Sequence, residues 1–133
     1  MLDWVSLRHE VTTARRKSSL FLRRSSEIER VKRVGRRVST TMFNLLIRIC
    51  EDDMESRLGI VIGRRFGTAV NRNRAKRLFR VLAREVRGKL LPGRQFLVFP
   101  KRECLIQPFP VLRDAWKETL QRCRLGTFNG DLP

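Results

Sequence analysis

The side chains best suited to chemistry in this sequence are the cations of one basic run, Asn71-Arg72-Asn73-Arg74-Ala75-Lys76-Arg77-Leu78-Phe79-Arg80. From residue 64 to residue 87, nine Arg or Lys residues stand against a single acid, Glu85. Guanidinium groups bind phosphate oxygens in pairs, and helix N-termini attract anions. The run therefore predicts a polyanion-binding surface rather than a solvated helix face balanced by ion pairs.

An amphipathic helix must position these cations. Apolar residues recur at helical spacing from Ala75 to Val86, which predicts a buried stripe, and Thr68 is the expected N-cap. Arg72 and Arg74 fall on the two flanks of the first turns. The face opposite the stripe collects four polar residues: Asn73, Arg77, Arg80 and Arg84.

The composition of the whole chain also predicts an acidic partner. Its 133 residues include 30 Lys or Arg and 13 Asp or Glu, which gives a net charge of +17. Most of this excess lies in two segments, 15–37 and 64–87, so the charge is clustered. The length fits one domain, which we place at residues 20–124. Residues 1–19 are interpreted as a flexible or extra N-terminal arm, and residues 125–133 as a loose C-terminal tail.

Residues that commonly support catalysis or hold metals are scarce. Cys50, Cys104 and Cys123 are odd in number and widely spaced, which favours neither a disulfide partner nor a zinc site. His9 is the only histidine. We therefore predict no catalytic side chain and no protein-bound metal. Without a long apolar run or a signal-peptide pattern, we expect a cytoplasmic protein with no membrane partner.

The remaining patterns predict helices and strands in the order α-β-β-α-β-α. A first helix should begin at Ser25 or Ser26 and end at Gly35. Strands are predicted at residues 42–49, 57–62 and 95–99, the first two as a hairpin across Glu51-Asp52-Asp53. The basic helix then connects the second and third strands. A loop over residues 101–110 and a closing helix from Val111 to Cys123 complete the chain.

One stretch resembles a known family, the protein subunit of bacterial ribonuclease P. It reads Arg57-Leu58-Gly59-Ile60-Val61-Ile62-Gly63-Arg64-Arg65-Phe66-Gly67-Thr68-Ala69-Val70, followed by Arg72-Asn73-Arg74, Lys76-Arg77 and Arg80. Gly35 with Arg36-Arg37-Val38 also fits the family pattern. The resemblance covers roughly residues 23–122 and is much more specific than a basic patch.

The resemblance implies an α+β fold, a small sheet with packed helices. It also implies a left-handed β-α-β crossover, although parallel crossovers are almost always right-handed. It also implies that the chain is an accessory subunit of an endoribonuclease, which binds a catalytic RNA and helps it to remove the 5′ leader of precursor tRNA. Hydrolysis would belong to the RNA and to Mg²⁺ bound through the RNA. The implied partners are the catalytic RNA and precursor tRNA.

Site residues follow from the resemblance by position. Those implied to bind the catalytic RNA are Arg65, Arg72, Asn73, Arg74, Lys76, Arg77 and Arg80. Those implied to bind the leader or the tRNA are Ile28, Lys32, Arg36, Phe43, Arg64, Lys101 and Arg102, with Phe43 among the walls of a cleft between the first helix and the sheet. Ile28 and Lys32 stand where the family commonly has two aromatic residues, so leader binding should depend more on charge than on stacking.

Three other classes of protein compete with this interpretation. A ribosomal or similar non-enzymatic RNA-binding protein shares the size and the arginine content, but the basic helix after Leu58-Gly59-Ile60-Val61 argues against it. A DNA-binding protein would need a helix-turn-helix or zinc pattern. A protein nuclease would need a carboxylate cluster, for which Glu51-Asp52-Asp53 with Glu55 is the one candidate. An exposed acidic turn explains these residues more simply.

Overall fold

The computed structural model of the protein describes residues 20–50 and 55–126. The predicted N-terminal arm, the acidic turn at residues 51–53 and the tail beyond residue 126 lie outside this part of the chain. The tail was predicted to begin at residue 125, which is too early. Leu125 is fully buried, and Gly126 forms a β-bridge with Leu90. The packed domain therefore extends to Gly126.

Helices and strands are interspersed along the chain. They are α1 (Ser25–Val34), β1 (Arg36–Ser39), β2 (Phe43–Ile49), β3 (Arg57–Ile60), a 3₁₀ turn (Arg64–Phe66), α2 (Ala69–Glu85), a second 3₁₀ turn (Arg87–Lys89), β4 (Arg94–Pro100), α3 (Glu103–Ile106) and α4 (Phe109–Arg122). The α+β class is as predicted. β1 and α3 were not predicted: β1 is short and largely exposed, and α3 is a single turn within the expected loop.

The four strands form one sheet in the order β1-β2-β4-β3. β2 and β4 are antiparallel, whereas β3 and β4 are parallel, so β3, α2 and β4 form the predicted β-α-β unit. The predicted hairpin of β2 with β3 is wrong, because β4 lies between them. β4 carries the consecutive buried residues Phe96, Leu97 and Val98, which suits a strand covered on both faces.

One face of the sheet carries the main core. Phe43, Leu45 and Ile47 alternate along β2 and are buried against α2 and α4. The Phe43 ring packs edge-on against Phe79 of α2 and Trp116 of α4, with centroid distances of 5.7 and 5.5 Å. These three rings join both helices to the sheet.

The other face of the sheet carries α1. Val31 is buried against Leu22 and Leu97, and Ile28 packs at the edge of this small cluster. Gly35 ends α1, as predicted, and its N–H donates to the Val31 carbonyl at 2.8 Å. A Cβ atom at residue 35 would lie 2.4 Å from that carbonyl oxygen, so the chain turns directly into β1 only with glycine there.

Candidate nucleic-acid interface

The N-terminus of α2 is built as the sequence predicted. The Thr68 hydroxyl accepts a hydrogen bond from the Asn71 N–H at 3.2 Å and caps the helix. Gly67 precedes it with a φ of 153°, a conformation that favours glycine. The half-buried Arg72 folds back, and its Nη1 donates to the Gly67 carbonyl at 2.8 Å. Arg72 therefore helps to hold the loop that leads into α2.

Most of the other predicted RNA-binding side chains lie at the surface of α2 and of the preceding 3₁₀ turn. The exposed residues are Arg64, Arg65, Asn73, Arg74, Arg77 and Arg80, with Lys76 half-buried. Glu85, the one acid of α2, pairs with Arg113 of α4 at 3.3 Å. No carboxylate in the described part of the chain lies within ion-pairing distance of Arg74, Arg77 or Arg80. We call Arg65, Asn73, Arg74, Lys76, Arg77 and Arg80 the α2 surface; its positive charge is largely uncompensated.

The side chains of Lys101 and Arg102 were predicted to lie along the leader. In this structure they donate hydrogen bonds to backbone carbonyls. The guanidinium of Arg102 donates from Nε to the Phe66 carbonyl at 2.6 Å and from Nη2 to the Arg65 carbonyl at 2.9 Å. Lys101 donates from Nζ to the Thr40 carbonyl at 2.7 Å. Arg102 thereby fixes the 3₁₀ turn that presents Arg64 and Arg65, a role that the sequence did not indicate.

The structure contradicts the predicted position of Phe43. Its ring is fully buried in the main core, on the face of the sheet opposite α1, and cannot line a cleft beside that helix. Arg36 lies on the same side of the sheet as Phe43 and is exposed. It pairs with Ile47 across the strands, and residues directly opposite share a face, so Arg36 lies on the core side of β1. Both positions follow from the alternation along β2, in which Phe43, Leu45 and Ile47 face the main core.

Two predicted leader residues do belong to α1, but they differ in exposure. Ile28 is half-buried and packs on the cluster beneath α1. Lys32 is exposed and lies 3.8 Å from Glu29 in an ion pair within the helix. Ile28 is therefore mainly a packing residue, whereas the ammonium of Lys32 faces solvent.

A small groove on the α1 side of the sheet was not predicted. Its volume is about 200 Å³, and its lining includes Arg37, Asn44, Leu46 and Phe99. Asn44 and Phe99 are directly opposite each other on β2 and β4, and Phe99 is half-buried. The Asn44 Oδ1 is buried and has no hydrogen-bond partner among the described residues. We call this site the Phe99 groove; it combines an aromatic face, a cation and an unused acceptor.

The cysteines and carboxylates do not form a metal site in the described residues, where no group of three potential ligands comes together. The three cysteines are free thiols. Burial raises the pKa of the Cys104 thiol to about 11, although its backbone hydrogen bond and Arg74 act in the opposite direction. No helix in the described part of the chain is both long and apolar enough to cross a membrane.

Comparison with known proteins gives a consistent family. A sequence model described as Ribonuclease P matches residues 17–124. The chain is 34% identical over 108 residues to the ribonuclease P protein component of Chloroflexus aggregans, covering 80% of this chain and 79% of that protein. It is 26% identical over 104 residues to the component of Shouchella clausii, covering 78% and 85%.

Solved structures agree with the sequence comparison. The ribonuclease P protein of Thermotoga maritima is 29% identical, with a TM-score of 0.67, over 77% of this chain and 96% of that one. A mutant ribonuclease P protein of Staphylococcus aureus is 17% identical, with a TM-score of 0.73, over 87% of this chain and 97% of that one. The second likeness supports the fold alone.

Proposed function

Given that the chain belongs to the bacterial ribonuclease P protein family, we propose that it binds the catalytic RNA of ribonuclease P through the α2 surface and assists removal of the 5′ leader from precursor tRNA. The observation that carries this proposal is the uncompensated charge of α2. Arg74, Arg77 and Arg80 are exposed and have no acidic partner in the described part of the chain. A polyanion supplies the missing countercharge.

Leader binding is assigned to the Phe99 groove instead of to Phe43. Single-stranded nucleic acids bind where a cation tracks the backbone and an aromatic face stacks on a base. Phe99 and Arg37 supply these two elements, and Asn44 lies opposite Phe99 in the lining of the groove. Lys32 and Arg64 remain the proposed additional cations along the leader.

Hydrolysis is assigned to the RNA, with Mg²⁺ bound through the RNA, as the family resemblance implies. Three of the described carboxylates are held in ion pairs: Glu27 with Arg57, Glu29 with Lys32 and Glu85 with Arg113. The proposed site of action is the cytoplasm, where precursor tRNA is processed.

Reconstitution tests the proposal. The purified chain is mixed with a bacterial ribonuclease P RNA and precursor tRNA at low Mg²⁺, and correct 5′ cleavage is measured. We expect the chain to stimulate cleavage, and Arg74→Gln with Arg77→Gln to reduce both RNA affinity and stimulation. Arg122→Gln with Arg124→Gln is the matched control, because it also removes two exposed guanidinium groups, both outside the α2 surface. Cleavage by the protein without RNA would contradict the proposal.

A further inference from the structure

The segment before α1 closes one edge of the sheet. Phe21 forms a parallel β-bridge with Leu58, and the Leu22 N–H donates to the Leu58 carbonyl at 2.7 Å. This pairing gives β3 a neighbour on the side away from β4. It also brings the Phe21 side chain to the flank of α2.

A groove of about 380 Å³ lies between this segment and α2. Its lining contains four cations and no acid: Arg23, Lys76, Arg80 and Arg84, together with Phe21, Leu22, Gly59 and Ile60. Lys76, Arg80 and Arg84 are spaced four residues apart, so they form one row along the helix. The row is about 12 Å long at the helical rise per residue. We call this site the Phe21 groove.

Phe21 differs from the aromatic residues of the core. Phe43, Phe79, Phe96 and Trp116 are fully buried, whereas Phe21 is half-buried and lines a groove. The guanidinium carbon of Arg84 lies 5.9 Å from the centroid of the Phe21 ring. An aromatic face beside a row of cations is the arrangement with which proteins hold single-stranded nucleic acids.

We infer that the Phe21 groove binds an unpaired nucleotide of the catalytic RNA, with its base stacked on Phe21 and its phosphates on the Lys76, Arg80 and Arg84 row. This inference rests on the proposed function. Bases inside an RNA duplex are stacked on their neighbours, so an aromatic side chain selects an unpaired nucleotide. Lys76 and Arg80 also belong to the α2 surface, and this continuity favours the catalytic RNA over the tRNA leader as the occupant.

The test measures the affinity of the full chain for a bacterial ribonuclease P RNA across a series of salt concentrations. We expect Phe21→Leu to weaken binding about tenfold with an unchanged salt slope, because a stack is lost and no phosphate contact is removed. Phe21→Trp should retain wild-type affinity. Arg84→Gln should weaken binding and lower the salt slope by about 0.7 to 1. Arg122→Gln is the control for general charge.

Chemical probing of the RNA adds a readout that a purely structural role would not change. With the RNA saturated by protein, at least one unpaired nucleotide protected by the wild-type chain should become reactive with Phe21→Leu and remain protected with Phe21→Trp. Equal losses of affinity with Phe21→Leu and Phe21→Trp would overturn the inference, because shape rather than stacking would then matter. A loss of affinity confined to precursor tRNA would also overturn the inference, because the leader would then be the occupant of the groove.

Two further outcomes separate this inference from the proposed function. Suppose that the wild-type chain binds the catalytic RNA and that both Phe21→Leu and Arg84→Gln bind it equally well. The proposed role of the Phe21 groove is then wrong, whereas the proposed role of the α2 surface is unaffected. If the wild-type chain does not bind the RNA, the proposed function fails first, and the inference with it. Should Phe21→Leu fail to fold, the salt slope of Arg84→Gln decides, because Arg84 is exposed and its substitution leaves the core intact.

Discussion

Replacing Phe43 by alanine should lower the stability of the fold strongly, because it removes core packing rather than an RNA contact. Phe43 is fully buried and packs edge-on against Phe79 and Trp116. Removing a buried phenylalanine costs about 3–5 kcal/mol, of which each aromatic pair contributes about 0.5–1.5 kcal/mol. The free energy of unfolding of a natural domain is only about 5–15 kcal/mol. A drop in Tm of roughly 10–20 °C is therefore expected.

The assay pairs thermal unfolding with tRNA binding in the reconstituted ribonucleoprotein. Phe99→Ala is the matched control, since Phe99 is a half-buried phenylalanine one register position from Phe43 in the same β2 and β4 pairing, on the opposite face. It should lower precursor tRNA affinity by at most about tenfold and leave mature tRNA affinity unchanged. Phe43→Leu, which keeps a large apolar side chain, provides a folded variant whose binding can be measured.

The reasoning is refuted if Phe43→Leu reduces the ratio of precursor to mature tRNA affinity while its Tm stays at the wild-type value. That result would place Phe43 beside the leader, as the sequence suggested. An unchanged ratio with Phe99→Ala would instead show that the leader does not enter the Phe99 groove.

Three further predictions concern the elements that support these surfaces. Thr68→Ala removes the α2 cap and should lower the free energy of unfolding by about 1 kcal/mol in denaturant titrations, whereas Thr68→Asn should restore it. Gly35→Ala should destabilise the chain by more than the ordinary range for surface substitutions, about 0.5 kcal/mol, because its Cβ would overlap the Val31 carbonyl; an equal or higher Tm would contradict this. Cys104 should resist alkylation in the folded protein at pH 8, because burial raises its pKa to about 11 and roughly one thiol in a thousand is ionised; rapid labelling there would contradict its burial.

Local patterns in the sequence were sufficient for much of the fold. The apolar spacing of α2, the Thr68 cap and the stop at Gly35 each depend on a few consecutive residues, and the structure has all three. The exposure of Arg74 and Arg77 likewise follows from helical periodicity. These features involve interactions within one element, which a sequence displays directly.

Features that depend on pairings between distant residues could not be predicted from local patterns. Placing β4 between β2 and β3 requires contacts across about fifty residues of chain, and no local pattern distinguishes this order from a hairpin. The face of Phe43 depends on which side of β2 the two larger helices cover. Asn44 and Phe99 become neighbours only through the register of β2 with β4. The Phe99 groove was therefore missed, although alternation along β2 could have separated Asn44 from Phe43.

The position of β4 also determines when the protein can fold during its synthesis. A ribosome makes α1 through α2 before it makes β4, yet β4 joins β2 to β3 in the finished sheet. A nascent chain that ends before Arg94 has its arginine-rich helix but lacks the strand that completes the sheet beneath it. Such chains present cations to any nearby RNA before their core has formed. Translation arrest in this interval should therefore yield an incompletely folded chain that associates non-specifically, rather than a smaller folded domain.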